Sequence, residues 1–141
     1  MLNQETLQTL ITTALSQRDA AYAPYSNFHV GAAILTKCGK IFTGCNIENS
    51  SYPSTMCADR IAIFKALSEG YRDFSAICIA GGKTGEEITD YCAPCGTCRQ
   101  VFVEFCDPYE FQVIIAKNEN DYIIRSLAEL LPLGFNSDNL I

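Results

Sequence analysis

The chain has 141 residues, 48% of them hydrophobic, enough for one domain over residues 1–141 that buries roughly two thirds of its unfolded surface. Sixteen acidic residues against ten basic ones give a net charge of −6, which argues against a nucleic-acid surface of clustered Lys and Arg. No apolar run approaches the ~20 residues of a membrane span, and Met1 to Arg18 alternates polar and apolar residues unlike a signal peptide, so a cytoplasmic protein is expected.

Leu7, Leu10, Ile11, Ala14 and Leu15 recur at helical spacing and predict an amphipathic helix from about 3 to 22, ended by Ala23-Pro24-Tyr25-Ser26. Phe28 to Leu35 reads as a strand, Lys37 to Lys40 as a turn and Ile41 to Cys45 as the hairpin partner. Asn46 to Thr55 is a polar loop. A helix from Cys57 ends near Glu69-Gly70, where Gly70 suits a cap. Ser75 to Ala80 is nearly all apolar, as in a strand covered on both faces. Gly81 to Tyr91 reads as a loop, and a second helix runs from Cys95 to about Cys106, stopping at Asp107-Pro108. Phe111 to Ala116 and Tyr122 to Ile124 are strands around the turn 117–120. Ser126 and Glu129 fit a capping box for a short last helix. The order α-β-β-α-β-α-β-β-α predicts an α/β fold: one mixed five-stranded sheet with helices on both faces.

The eight cysteines fit a disulfide framework poorly, because a core of this size needs no staples and no secretion signal is read. Three of them form a pattern instead. Cys57 opens one predicted helix, and Cys95-x-x-Cys98 follows Pro94 at the start of another. Residues three apart share a helix face, so Cys95 and Cys98 can point at one ion. Helix N-termini favour thiolate over thiol. Three thiolates do not close a structural tetrahedral zinc site; they match a catalytic one, which keeps its fourth position open. Cys57 and Asp59 lie about 200° apart on a regular helix, so they converge only if Cys57 precedes the helical backbone. Three thiolates and Zn²⁺ carry a net −1, and Arg60 and Arg99 are expected to donate to the sulfurs. Asp59 then reads as general acid and base. Cys92 competes for ligand status, and a closed structural site using it is a further possibility.

Cys57-Ala58-Asp59-Arg60 with Pro94-Cys95-Gly96-Thr97-Cys98-Arg99-Gln100 resembles the cytidine deaminase family, in its small homotetrameric form with three cysteine ligands. The similarity extends to Tyr22–Phe28, Val30–Ala33, Gly44–Asn49 and Leu130–Pro132. The resemblance implies a cytidine deaminase-like fold, a Zn²⁺ cofactor, and a pyrimidine nucleoside as small-molecule partner. It implies hydrolytic deamination of cytidine, deoxycytidine or an N4-substituted relative. Matching positions put Phe28 against the pyrimidine ring, Asn46 and Glu48 on the ribose, and backbone groups of Ala58 and Cys95 on the base or leaving group. Phe135 would reach a neighbour's pocket, giving a homotetramer with shared active sites; Tyr25 and Tyr52 are weaker candidates that would line the subunit contact. His29, the only histidine, reads as structural.

The family has Glu where this chain has Asp59, a side chain shorter by about 1.5 Å. Misplacing a catalytic group by about 1 Å can cost on the order of 10²-fold in rate. Two expectations follow: a weakened or retuned deaminase with room for bulkier N4-substituted cytosines, or a catalytically silent, zinc-containing nucleoside-binding protein.

Overall fold

A computed structural model of the protein describes residues 2–141. The elements are α1 (Gln4–Gln17), β1 (Phe28–Thr36), β2 (Ile41–Cys45), α2 (Ala58–Ser68), β3 (Phe74–Lys83), α3 (Gly96–Phe105), β4 (Gln112–Asn118), β5 (Asp121–Ser126) and α4 (Leu127–Leu130). Among these residues no helix is long and apolar enough to cross a membrane.

The five strands form one sheet in the order β2-β1-β3-β4-β5, with β3 and β4 parallel and every other pair antiparallel. Strand periodicity of two sorts the side chains onto opposite faces. Ala33, Leu35, Ala76, Cys78, Ala80 and Ile114 bury one face against Leu7, Leu10, Ile11 and Ala14 of α1. Their neighbours Ala32, Ile34, Ile77, Ile79, Val113 and Ile115 bury the other face under α2 and α3. The central strands are therefore apolar at nearly every position, as a sheet covered on both sides requires.

The contacts of Gly44 set the depth of α2. A Cβ at that position would lie 2.2 Å from the carbonyl oxygen of Ala58 and 2.7 Å from the amide nitrogen of Ala62. Glycine lets the first turn of α2 rest directly on β2, which brings the residues around Ala58 down to the sheet.

Two element boundaries differ from the sequence expectation. The helix predicted to reach residue 22 stops at Gln17 and tightens into a 3₁₀ turn, Arg18–Ala20. The chain then leaves the helix because Tyr22 pairs with the segment after β2: its N–H donates to Asn46 O at 3.0 Å, and its carbonyl accepts from Glu48 N at 2.8 Å. Strand β3 continues to Lys83, so Gly81 and Gly82 belong to the sheet, opposite Val30 and His29, and not to the following loop. Both glycines sit in crowded surroundings. A Cβ at Gly81 would meet Cys92 Sγ at 2.8 Å and the side chains of Phe28 and Val30 at 3.0 Å.

Candidate metal centre and active site

Cys57 is the N-cap of α2, with extended backbone (φ −77°, ψ 150°), and Cys95 is the N-cap of α3 (φ −66°, ψ 168°). Cys98 follows in the first turn of α3 and is fully buried. The extended backbone at Cys57 frees its sulfur from helical spacing, so Cys57 and Asp59 reach the same cavity. The segment before Cys57 is fixed by Ile47 and Met56, which exchange both backbone hydrogen bonds (3.0 and 2.9 Å).

The sulfurs of Cys57, Cys95 and Cys98 lie within 4.8 Å of one another. Cys57 Sγ is 3.9 Å from Cys95 Sγ, and Cys95 Sγ is 3.3 Å from Cys98 Sγ. A tetrahedral ion with Zn–S bonds of about 2.3 Å spaces its sulfurs about 3.8 Å apart, so the donor set fits zinc. Two helix N-termini converge on the tripod and add partial positive charge. Arg60 Nη2 donates to Cys57 Sγ at 3.1 Å. The neighbouring Cys98 thiol, joined by the hydrogen bond from Arg60, holds the Cys57 thiol down to about 5. Cys98 moves the other way, first because the neighbouring Cys57 sulfur disfavours a second thiolate and then because it is buried. In turn the Cys57 sulfur raises the pKa of Arg60 and keeps it charged.

Asp59 is 3% exposed, and its Oδ2 meets no hydrogen-bond partner among the described residues. Burial pushes the Asp59 carboxyl up to about 6, with the Cys57 sulfur adding in the same direction. Beside it is a cavity of about 190 Å³ lined by Val30, Asn46, Cys57, Ala58, Asp59 and Cys95 among others. That is below the roughly 300–1,000 Å³ of drug-sized sites and suits a single heterocyclic ring. A proton carrier, a metal tripod and a small, mostly apolar chamber therefore share one wall.

The remaining candidates divide. Ala58, at the start of α2, lines the cavity. Asn46 lines it too, but its amide already ties two residues of β1: Oδ1 accepts from Val30 N and Nδ2 donates to Phe28 O, both at 2.8 Å. Glu48 lies outside the cavity lining; its Oε1 accepts from the amides of Tyr25 (2.9 Å) and Ser26 (3.1 Å), and its Oε2 accepts from the Ser26 hydroxyl. Phe28 borders a neighbouring cavity of about 290 Å³, next to Gly81 and Cys92. Phe135 is 56% exposed and lines neither cavity. Arg99, expected to donate to the sulfurs, donates instead to two backbone carbonyls, because the fold brings those of Pro94 and Leu130 within its reach. Val30, Met56 and Ile79 complete the chamber; as ordinary apolar residues they carry no local signal that could have identified them. Cys92 lines both cavities and falls outside the sulfur tripod.

Comparison with known proteins places this geometry. Residues 4–115 match the family model for the cytidine and deoxycytidylate deaminase zinc-binding region. A probable cytidine deaminase of Dictyostelium discoideum is 46% identical over 140 residues, covering 99% of this chain and 90% of that protein. A cytidine deaminase of Sporosarcina psychrophila is 42% identical over 134 residues, covering 95% of this chain and 94% of its own. The 1.6 Å crystal structure of cytidine deaminase from Burkholderia pseudomallei superposes with a TM-score of 0.81 at 46% identity, covering 90% of this chain and 97% of that one. With its Cys57-Cys95-Cys98 tripod at two helix N-termini, this chain belongs to the cytidine and deoxycytidylate deaminase family.

Proposed function

We propose that the protein catalyses zinc-dependent hydrolytic deamination of cytidine or deoxycytidine, or of N4-substituted cytidines, to the corresponding uridine. The observation that carries this reading is Asp59: a carboxyl shielded from solvent, with one oxygen unmet among the described residues, in a chamber whose wall also includes Cys57 and Cys95 of the sulfur tripod. Cys57, Cys95 and Cys98 would hold the ion, and Arg60 would offset the excess negative charge of three thiolates. Bound there, zinc supplies an activated water at neutral pH. Asp59 takes a proton from the water that adds to C4 of the base and delivers it to N3. It then passes the second water proton to the amino group; the C4–N4 bond breaks, ammonia leaves, and C4 keeps the oxygen as a carbonyl. A carboxyl raised toward neutrality suits both halves of that relay.

Because Asp59 is one carbon shorter than the family's Glu, the carboxyl stands further from the reacting base and leaves more space near the leaving amine. That supports a site retuned toward bulkier N4 groups. Phe28, Asn46 and Glu48 bind the nucleoside in this reading, with Asn46 and Glu48 offering the lone pairs and protons their backbone contacts leave over. The exposed aromatics Tyr22, Tyr25, Tyr52 and Phe135 support subunit contacts in a homotetramer whose sites are shared. All eight cysteines are free, which supports a reducing, cytoplasmic location. Residues 1–141 would act as a single domain.

Purified zinc-loaded protein incubated with cytidine should form uridine. Asp59→Glu should raise kcat/KM on cytidine by on the order of 10²-fold while lowering it on N4-acylcytidine. If both rates rise together, the short side chain is a defect and no retuning has occurred. If wild type forms no product at high enzyme concentration from either compound, the silent nucleoside-binding alternative takes its place.

A further inference from the structure

Arg99 touches none of the three sulfurs, yet its position bears on the metal centre. Its Nε donates to the carbonyl of Pro94 at 2.8 Å, and its Nη1 donates to the carbonyl of Leu130 at 2.7 Å. Pro94 immediately precedes Cys95. Residues 92–94 lie outside every helix and strand, and proline has no N–H to contribute. Among the described residues, the bond from Arg99 is the sole hydrogen bond to the backbone of this segment. Cys95 itself is exposed, and its side chain caps no N–H of α3. A ligand at the surface, at the end of an irregular stretch, is therefore steadied from behind by one guanidinium.

The other arm of that guanidinium grips the last residue of α4. Gln100, the next residue of α3, donates to the carbonyl of Phe135 at 2.8 Å. Leu130 and Leu131 pack on the core beneath α2 and α3. The first two turns of α3 thus hold the C-terminal segment 130–135 at two points, and Arg99 is the point that also reaches the ligand loop. We propose that Arg99 is a positioning residue for the metal centre: by bridging Pro94 and Leu130 it makes the backbone before Cys95 and the C-terminal segment one piece. The inference rests on the zinc reading above. It acts through geometry, since the charge next to the sulfurs comes from Arg60. A planar fork can span two carbonyls that a single ammonium cannot, so retaining the charge should not retain the function.

Cobalt in place of zinc reads this directly, because thiolate-to-cobalt charge-transfer and ligand-field bands report how the three sulfurs are arranged. Arg99→Lys and Arg99→Ala should weaken metal binding in chelator competition by about 10–100-fold and shift the cobalt spectrum. Gln100→Ala, which releases Phe135 but leaves Pro94 tied, should keep the wild-type spectrum. Should Arg99→Ala not fold, Arg99→Lys, which keeps the stem and the charge, decides. In the unmutated protein, cobalt loading should slow amide exchange across 131–135 as well as across 96–99. Wild-type affinity and spectrum in folded Arg99→Lys, or protection confined to 96–99, overturns the inference. A wild-type protein that takes up no cobalt instead overturns the zinc reading on which it rests.

Discussion

Asp59 and Glu48 are two carboxyls pushed in opposite directions by their surroundings, and the contrast separates chemistry from scaffolding. Burial raises Asp59 and leaves one oxygen unmet, an arrangement that costs about 1–3 kcal/mol unless a partner is brought to it. Glu48 is half-buried and held below the usual carboxylate range, first by the Ser26 hydroxyl and then by the Tyr25 and Ser26 amides. Those bonds fix the turn that carries Asn27, whose backbone has φ of 55°. A carboxyl lowered by folding contributes stability above its unfolded value of roughly 4.3. That contribution is lost as pH falls through the still lower folded value. Amide protection factors at Tyr25 and Ser26 should therefore hold from neutral pH down past pH 5 and collapse in the acid range. In Glu48→Gln the collapse should vanish; an unchanged acid profile in that variant would show that Glu48 does not hold the turn. Residue chemistry of this kind was only half legible. Cys57, Cys95, Cys98 and Asp59 could be picked out because their types and spacing serve little else. The partners of Asn46, Glu48 and Arg99 could not, because each is a backbone group made adjacent only by the fold.

At the scale of elements, the centre is built where two helix starts are lowered onto the sheet. Periodicity sufficed to find α1, α2, α3 and the apolar strands. It failed at the end of α1, where long-range pairing of Tyr22 outweighed helical propensity, and at Gly81-Gly82, where a signal for a turn was a signal for close packing. Gly44 is the same kind of signal with a functional consequence. Adding a methyl there drives it into the backbone of α2 at Ala58 and Ala62, which cannot swing aside as a side chain could. Overpacking of this kind costs about 1–3 kcal/mol. Gly44→Ala should lower the melting temperature by several degrees, on the order of 2–4 °C per kcal/mol for a chain of this size. Because the displaced turn begins at Cys57, zinc affinity should fall as well. Loss of stability with unchanged zinc affinity would mean that α2 yields further along its length and the tripod does not depend on this contact.

At the scale of the whole molecule, the distribution of apolar surface bears on assembly. A single chain buries Asp59 and Cys98 on its own, yet leaves Phe135 56% exposed and Leu133 wholly exposed on the segment that Arg99 and Gln100 hold to α3. A large apolar side chain fastened by its own carbonyl and left open to solvent is available to a neighbour, and in the proposed homotetramer it would enter the site of a second copy. In a tetramer of four 15.5 kDa chains, every site would then combine one subunit's Asp59 with another's Phe135. Phe135→Ala should keep its zinc and its Asp59 but lose rate on cytidine. Asp59→Asn should keep Phe135 and its zinc and lose the proton carrier. Co-expressed, the two form mixed assemblies in which some sites pair an intact Asp59 with an intact Phe135, so activity per subunit should exceed that of either variant alone. If Phe135 packs only on its own subunit, no such site arises and the mixture does no better than the average of the two, which would leave the shared-site arrangement without support.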